Sequence, residues 1–555
     1  ACSASDDRRS SFKLFFAQDR RFSCKFSLDF SLSHVTRQSR RFLRWTQEQT
    51  FFMISVLMKP GYKLFRVIVS SILLCSFAIS AFSQTKPILF QNATIIDGTG
   101  KKSVRGDVRI KDGKIEKIGK VKPSKDDELI DANGLVLAPG FIDIHNHSES
   151  GLLREGTAAN QVSQGITTIL VGPDGGSPWP LAEYFTKLDG KIAVNVGAFI
   201  GHAEVRSQIL KEDYKRTATP EEIAAMAKLV DQAMNEGAFG LSSGLEYDVG
   251  FMATIEEMIE LAKVAARYKG IYMSHIRDEE EGFRAAMEEA IRIGKDAKLP
   301  VQISHIKMGN RNVWGKSAEA IALIESAKKA GQDVTADAYP YTAWASTITV
   351  LVPSRKHEDR TEVETGIANV GGADKILITS HSANRSYEMK TLAEIAASKN
   401  ITPVDLYIEI VKNGGAGVVC NSMNEDDVKA FYQRPWVMVS SDGGIGSRHP
   451  RGTGTFTRVL GKFVRENKWL SLEEAVHKMS AMPAARLGLK DRGLIKKGMI
   501  ADLVLFDANT VIDKATFAEP QTFSTGIRAT FVNGTKVWDG EKITNNTPGA
   551  ILRRK

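Results

Sequence analysis

Two histidines two residues apart close the segment Pro139-Gly140-Phe141-Ile142-Asp143-Ile144-His145-Asn146-His147. On an extended strand, residues i and i+2 face the same side, so both imidazoles can address one metal ion. His-x-His alone is weak evidence; the Pro-Gly entry and the apolar strand ahead of it strengthen it. Two more apolar segments end in Ser-His, IYMSH at 271–275 and VQISH at 301–305. A further one, WVMVSSD at 436–442, ends in Asp442 just before Gly443-Gly444. A structural histidine or a turn aspartate would account for any one of these residues, but accounts poorly for the set. Four imidazoles and a carboxylate at strand ends suit metal-assisted hydrolysis. Histidines hold a divalent ion, and a carboxylate takes a proton from activated water and returns it to the leaving nitrogen.

Such residues need a frame that brings distant strand ends together. Between residues 140 and 495 apolar strands alternate with helical stretches. Eight strands are expected: 141–145, 167–172, 192–199, 237–243, 271–275, 301–305, 333–339 and 436–442. Helices are expected at 152–163, 220–236, 254–268, 282–297 and 316–330. Eight such units predict a closed (β/α)8 barrel of the TIM type, with its chemistry at the C-terminal strand ends. The stretch 345–435 breaks the rhythm. It reads as an insertion before the last strand, containing the strands ILITSH and GAGVVC and walling the site. Residues 84–139 and 496–555 both read as short strands and turns, with hairpin signals at Asp97-Gly98, Asp112-Gly113 and Asn533-Gly534. The two ends are expected to pair into one small β-sandwich domain.

These segments resemble the amidohydrolase superfamily and, within it, the N-acyl-D-amino-acid deacylases (D-aminoacylases). The resemblance spans nearly all of 87–553. His-x-His belongs to the whole superfamily, whereas GLSSGLEY, DAYPY and HPRGTGTF are far more specific to the deacylase branch. It implies one or two zinc ions, or another divalent metal, held by His145, His147, His275 and His305, with Asp442 as general base and acid. The family places a zinc-binding cysteine after the second barrel strand. Here the segment is Val171-Gly172-Pro173-Asp174-Gly175-Gly176, so Asp174 stands at the cysteine position. A carboxylate is a harder ligand than thiolate and can bridge two ions; a plain Pro-Asp-Gly-Gly turn is the alternative. The family pattern also implies Tyr247, Lys307, Tyr339 and Arg451 as partners of a substrate carboxylate, with Ser346 walling the acyl group. His202 and Glu149 are expected behind the ligands. The implied reaction is hydrolysis of a linear amide of a small N-acyl-D-amino acid. Its D-stereochemistry rests on the resemblance alone.

The competing readings are a D-dipeptidase or other exported amide hydrolase, a cyclic-amide hydrolase, and a non-catalytic metal-binding scaffold. Cyclic-amide hydrolases of this superfamily look to a carboxylated lysine on the fourth strand, and GAFGLSSG has none. The formal charge of +9 invites a nucleic-acid partner, but the first 83 residues carry 13 Lys/Arg against 5 Asp/Glu, and the rest carries 61 against 60. The basic excess therefore lies in the N-terminal region, and no nucleic-acid motif accompanies it. Residues 58–83 have the layout of a secretory signal: Lys59, Lys63 and Arg66, an apolar run, then Ala81-Phe82-Ser83. Export to the periplasm or medium is expected, without a membrane span after processing, and residues 1–57 read as an upstream extension. Cys420 is the one cysteine beyond that signal, so no internal disulfide is expected.

Overall fold

The computed structural model of the protein describes residues 86–554. The expected upstream extension and signal segment lie outside the described residues. The first sheet opens with β1 (Ile88–Ile95), β2 (Val104–Lys111), β3 (Lys114–Gly119), β4 (Glu128–Asp131) and β5 (Val136–Pro139). Asp112 and Gly113 both take positive φ, 50° and 73°, which makes the tight β2–β3 hairpin that Asp-Gly predicts. Asp97-Gly98 instead starts a longer loop, where the Asp97 carboxylate accepts the Thr99 amide at 2.8 Å. That side-chain bond replaces the strand pairing a two-residue turn would need.

The barrel begins with β6 (Phe141–Asp143), β7 (Ile166–Val171) and β8 (Asn195–Ala198), which pair in parallel, and β9 (Ile200–Gly201). It continues with β10 (Gly240–Gly244), β11 (Ile271–His275), β12 (Val301–Ile303) and β13 (Val334–Ala338). The insertion follows as β14 (Trp344–Thr347), β15 (Ile376–Ser380), β16 (Lys390–Thr391) and β17 (Gly417–Cys420), in the antiparallel order β14-β17-β15-β16. The last barrel strand is β18 (Val437–Val439), beside β13. All eight expected barrel strands are present. They are buried on both faces, hence their near-continuous apolar runs.

Two seams close the barrel. Phe239 donates its amide to Ala198 O at 2.8 Å, joining β8 to the segment that enters β10. At the other seam Asp442 N donates to His145 O at 3.0 Å, and His147 N to Gly443 O at 2.7 Å. Asp143, fully buried, ties this seam by accepting from Ser441 Oγ at 2.5 Å and Asn146 Nδ2 at 2.8 Å. His145, His147 and Asp442 are thus part of the barrel closure.

The expected helices form outside the strands, with one difference. The stretch 152–163 breaks into Glu149–Arg154 and Ala159–Val162. Gly156 lies at the break, where an added Cβ would sit 2.0 Å from Lys191 O. The helix Pro220–Glu236 starts from a capping box between Thr219 and Glu222 with proline in its first turn. The insertion is fixed to the barrel mouth by Trp344, whose indole donates to Gly309 O at 2.8 Å.

The chain ends do share one sheet. β19 (Leu503–Phe506) pairs antiparallel with β5, and β20 (Ile527–Val532) and β21 (Thr535–Trp538) extend the edge. The result is one continuous eight-stranded mixed sheet, in which β1 pairs β4 at one end and β5 at the other, on either side of a bulge. The final residues depart from the expected domain. They leave the sheet and run along the barrel, with Ile551 bridging Val196 and Arg554 N donating to Gly237 O at 3.1 Å.

Asp502 joins the two parts. It is buried, meets Arg492 Nη1 at 2.5 Å, and accepts from Asn195 of β8 at 3.0 Å and from the Asn533 amide at 2.7 Å. Asp502→Ala strands the buried Arg492 charge and is expected to destabilise the protein by about 3–5 kcal/mol. Urea unfolding followed by circular dichroism would measure this.

Candidate metal centre

Each ligand candidate lies at or just beyond the C-terminal end of a different barrel strand, apart from the His145/His147 pair that follows β6. Three of them sit in the left-handed backbone region, Asp174 at φ 54°, His305 at 32° and Asp442 at 49°. Non-glycine residues adopt this region rarely, and it aims side chains inward where a regular continuation would not.

Asp174 Oδ2 is the hub. It lies 3.1 Å from His145 Nε2, 3.4 Å from His147 Nε2, 3.3 Å from His305 Nε2 and 4.0 Å from His275 Nδ1. Asp442 Oδ1 is 3.3 Å from His145 Nε2 and 3.2 Å from His147 Nε2. Two overlapping donor sets result, His145-His147-Asp174-Asp442 and Asp174-His275-His305, sharing Asp174. The inward nitrogens of His275 and His305 face each other at 2.9 Å, and Asp174 Oδ1 is buried without a hydrogen-bond partner. Such a convergence of imidazole and carboxylate donors fits a divalent ion, and the shared carboxylate suits a pair.

The outward nitrogens are also engaged. Asp337 Oδ1 is 3.2 Å from His145 Nδ1, Glu246 is 2.7 Å from His275 Nε2, and Glu279 is 3.1 Å from His305 Nδ1. Carboxylates in this position orient a ligating imidazole and raise its basicity. Their roles were missed in the sequence, although all three lie in the conspicuous segments DAYPY, GLSSGLEY and SHIRDE. Nothing in the spacing says that each carboxylate pairs with a histidine of a different strand. Glu246 follows β10, and its partner ends β11.

Five carboxylates, Asp174, Asp337, Asp442, Glu246 and Glu279, face two fixed cations, Lys307 and Arg451. Three negative charges remain, and the histidine pKa values respond. Burial alone would lower His145, but Asp174, Asp442 and Asp337 hold it well above the usual imidazole range. Desolvation also acts to lower His147, whose side chain is 38% exposed, but hydrogen bonds to Asp174 and Asp442 push it up to about 9. Burial and Lys307 act to lower His305, yet Glu279, Asp174 and Asp442 take it to about 9. Burial would raise Asp174, but His145 and His305 hold it well below the carboxylate range.

The expected substrate partners are placed unevenly. Tyr247 reaches the centre, its hydroxyl 3.2 Å from His275 Nδ1. Lys307 is in the cavity but is held by Glu279 at 2.5 and 2.6 Å. Arg451 Nη1 is 2.7 Å from Asp442 Oδ2 but off axis, so Nε and Nη1 remain without a directed hydrogen bond. His449 accepts the Arg451 amide at 3.0 Å and steadies that loop. Ser346 lines the same cavity from β14, its buried Oγ unpaired. Tyr339 lies under Arg451, the guanidinium 4.9 Å from its ring, and its hydroxyl points to Met423 Sδ, so it supports Arg451 from beneath.

The Glu149 carboxylate accepts the Gly172 amide at 2.7 Å and holds the loop that presents Asp174. His202 is wholly buried against Glu257 at 2.8 Å, in a network with Arg206, behind the cavity lining. It starts the helix His202–Leu210, and that orientation carries the ring from the barrel mouth into helix packing. His477 packs on Gly98 O at 2.8 Å, as a structural histidine should. His357 meets the buried Tyr407 hydroxyl at 3.0 Å.

Fold and centre together define a metal-dependent hydrolase barrel. The model of the Amidohydrolase family matches residues 128–538. The chain belongs to that family and, within it, to the D-aminoacylase/N-acyl-D-amino-acid deacylase group. It is 36% identical over 498 residues to a D-aminoacylase of Alcaligenes xylosoxydans xylosoxydans, covering 85% of this chain and 98% of the relative. An N-acyl-D-aspartate deacylase of the same organism is 36% identical over 491 residues, covering 84% and 94%. Among solved structures, the N-acyl-D-glutamate deacylase of Bordetella bronchiseptica, complexed with zinc and a phosphonate mimic of the tetrahedral intermediate, superposes with a TM-score of 0.77. It is 34% identical, covering 84% of this chain and 99% of its own. A D-hydantoinase at 17% identity and TM-score 0.52 shares the fold.

Two outcomes follow. Asp174→Ala is expected to weaken metal binding more than about 100-fold, since removing mere outer partners costs 10–100-fold; Asp174→Cys retains a ligand and binds more tightly than the alanine variant. Chelator competition with metal analysis would measure both. Because His147 and His305 sit near 9, they are protonated at pH 7 in the metal-free protein and must lose those protons to ligate. Metal binding at pH 7 should therefore release protons, and apparent affinity should rise from pH 6 to 9. Calorimetry in buffers of different ionisation enthalpy would show this.

Proposed function

We propose that this protein hydrolyses the linear amide of N-acyl-D-amino acids to a carboxylate and a free D-amino acid. One observation carries the reading. The donor cluster opens into a cavity whose wall holds Arg451 and Lys307, so amide cleavage and carboxylate recognition share one chamber. The D-configuration is supported by the relatives, which are deacylases of N-acyl-D-amino acids. β10 carries no lysine, which disfavours the cyclic-amide alternative.

His145, His147, Asp174, His275 and His305 would hold the metal. A bound zinc or similar ion supplies Lewis acidity, lowering the pKa of water and polarising the acyl carbonyl. Asp442 does the proton work. Burial acts to raise its pKa, but Arg451, then His145 and His305, hold it well below the carboxylate range, so it is ionised and ready to accept. It takes the proton of the attacking water as the oxygen–carbon bond forms. It then delivers that proton to the amide nitrogen as the carbon–nitrogen bond breaks. Arg451, steadied by His449 and Tyr339, presents its unpaired N–H groups to the substrate α-carboxylate.

Purified, zinc-loaded protein should cleave an N-acetyl-D-amino acid and leave its L-enantiomer essentially untouched. Chelation should abolish turnover, and zinc should restore it. Asp442→Asn should lower kcat by about 10²–10⁴ with tertiary structure retained. Normal hydrolysis by Asp442→Asn would overturn the proton role given to that residue.

A further inference from the structure

Two cavities meet at the ligand cluster, and His147, Asp174 and Tyr247 line both. The inner one, about 200 Å³, continues past His275 and His305 to Lys307, Arg451 and the insertion. The outer one, about 500 Å³, is a groove over Leu153, Pro173, Pro178 and Tyr184. It is open along its rim, where Leu153 is 50% exposed and Ser150 and Gly176 are also exposed.

The chemistry of the two differs. Lys307 and Arg451 both belong to the inner cavity, and among the described residues neither lysine nor arginine lines the groove. Beyond Asp174, the only carboxylate lining the groove among the described residues is Glu149, which is committed to the Gly172 amide. The remaining wall is largely apolar, and Tyr184 turns its hydroxyl to Glu149 O at 3.0 Å.

An amide carries two substituents, one on each side of the bond that breaks. In an N-acyl amino acid the amine side bears a carboxylate, which needs cations and so belongs in the inner cavity. The substituent on the acyl carbon must then leave the shared residues on the other side, along the groove. Building on the deacylase function above, we propose that the Leu153–Pro178–Tyr184 groove is the acyl-chain subsite, and that the enzyme's substrates carry extended apolar acyl chains. The open rim sets no end wall against added carbons, and apolar walls favour each methylene that leaves water. Ser346, expected beside the acyl group, falls on the amine side, in the cavity that holds Arg451.

The test compares kcat/KM of the zinc-loaded full chain for N-acetyl-, N-butyryl- and N-octanoyl-D-leucine. Full burial of a methylene corresponds to about fourfold, so a partly covering groove should favour octanoyl over acetyl by about tenfold or more. Leu153→Glu places a charge on the rim and should cut that ratio at least about fivefold, with Leu153→Ser showing a smaller loss. Val350→Trp, in the inner cavity, should leave the ratio as it is. An octanoyl-to-acetyl ratio at or below one in the native enzyme would overturn the assignment. A ratio that Val350→Trp moves and Leu153→Glu does not would also overturn it, placing the acyl chain inside. If no member of the series is cleaved, acetyl included, the deacylase function itself falls.

Discussion

Asp174 Oδ2 lies among four imidazoles, and the barrel mouth is arranged around that contact. Isolated, a buried carboxylate is expensive, because burial favours its neutral form. Here the histidines on strands far apart in sequence converge on it and keep it ionised. The arrangement leaves a surplus of negative charge from five carboxylates, and that surplus calls for cations. Protons on the histidines meet the need in the metal-free chain, and divalent ions meet it in the family's enzymes. The same electrostatic demand therefore explains the raised histidine pKa values and the affinity for metal.

Barrel closure and chemistry are physically one thing at the β6–β18 seam. His145 and His147 exchange backbone hydrogen bonds with Asp442 and Gly443, so the first pair of candidate ligands and the proposed base are placed by the last strand pairing of the fold. Asp143, with its Ser441 and Asn146 partners, locks that seam from below, and burial raises its pKa to about 6. The left-handed backbone at Asp442, Asp174 and His305 is the strain the closure accepts in order to aim the side chains.

The outer sheet and the insertion serve different ends. Asp502 couples the sheet to β8 and to Arg492, which makes the sheet a brace for the barrel. The insertion, pinned by Trp344 to the loop after β12, contributes one wall of the inner cavity and so narrows the space in which the amine portion of a substrate can sit.

The sequence by itself determined the eight strands, the pairing of the two chain ends, the four histidines and Asp442. Those features are written locally, in apolar runs, turn residues and polar residues at strand ends. The Asp-Gly at 112–113 made its hairpin because both residues tolerate positive φ, whereas that at 97–98 was diverted by its own side chain. Only the tertiary structure decided which carboxylate backs which histidine, that Tyr339 supports Arg451 from beneath, and that His202 faces helix packing. Side-chain pairing across strands depends on register and on the direction a residue takes after its strand ends. Both are set by closure of the whole barrel, and no local segment contains them.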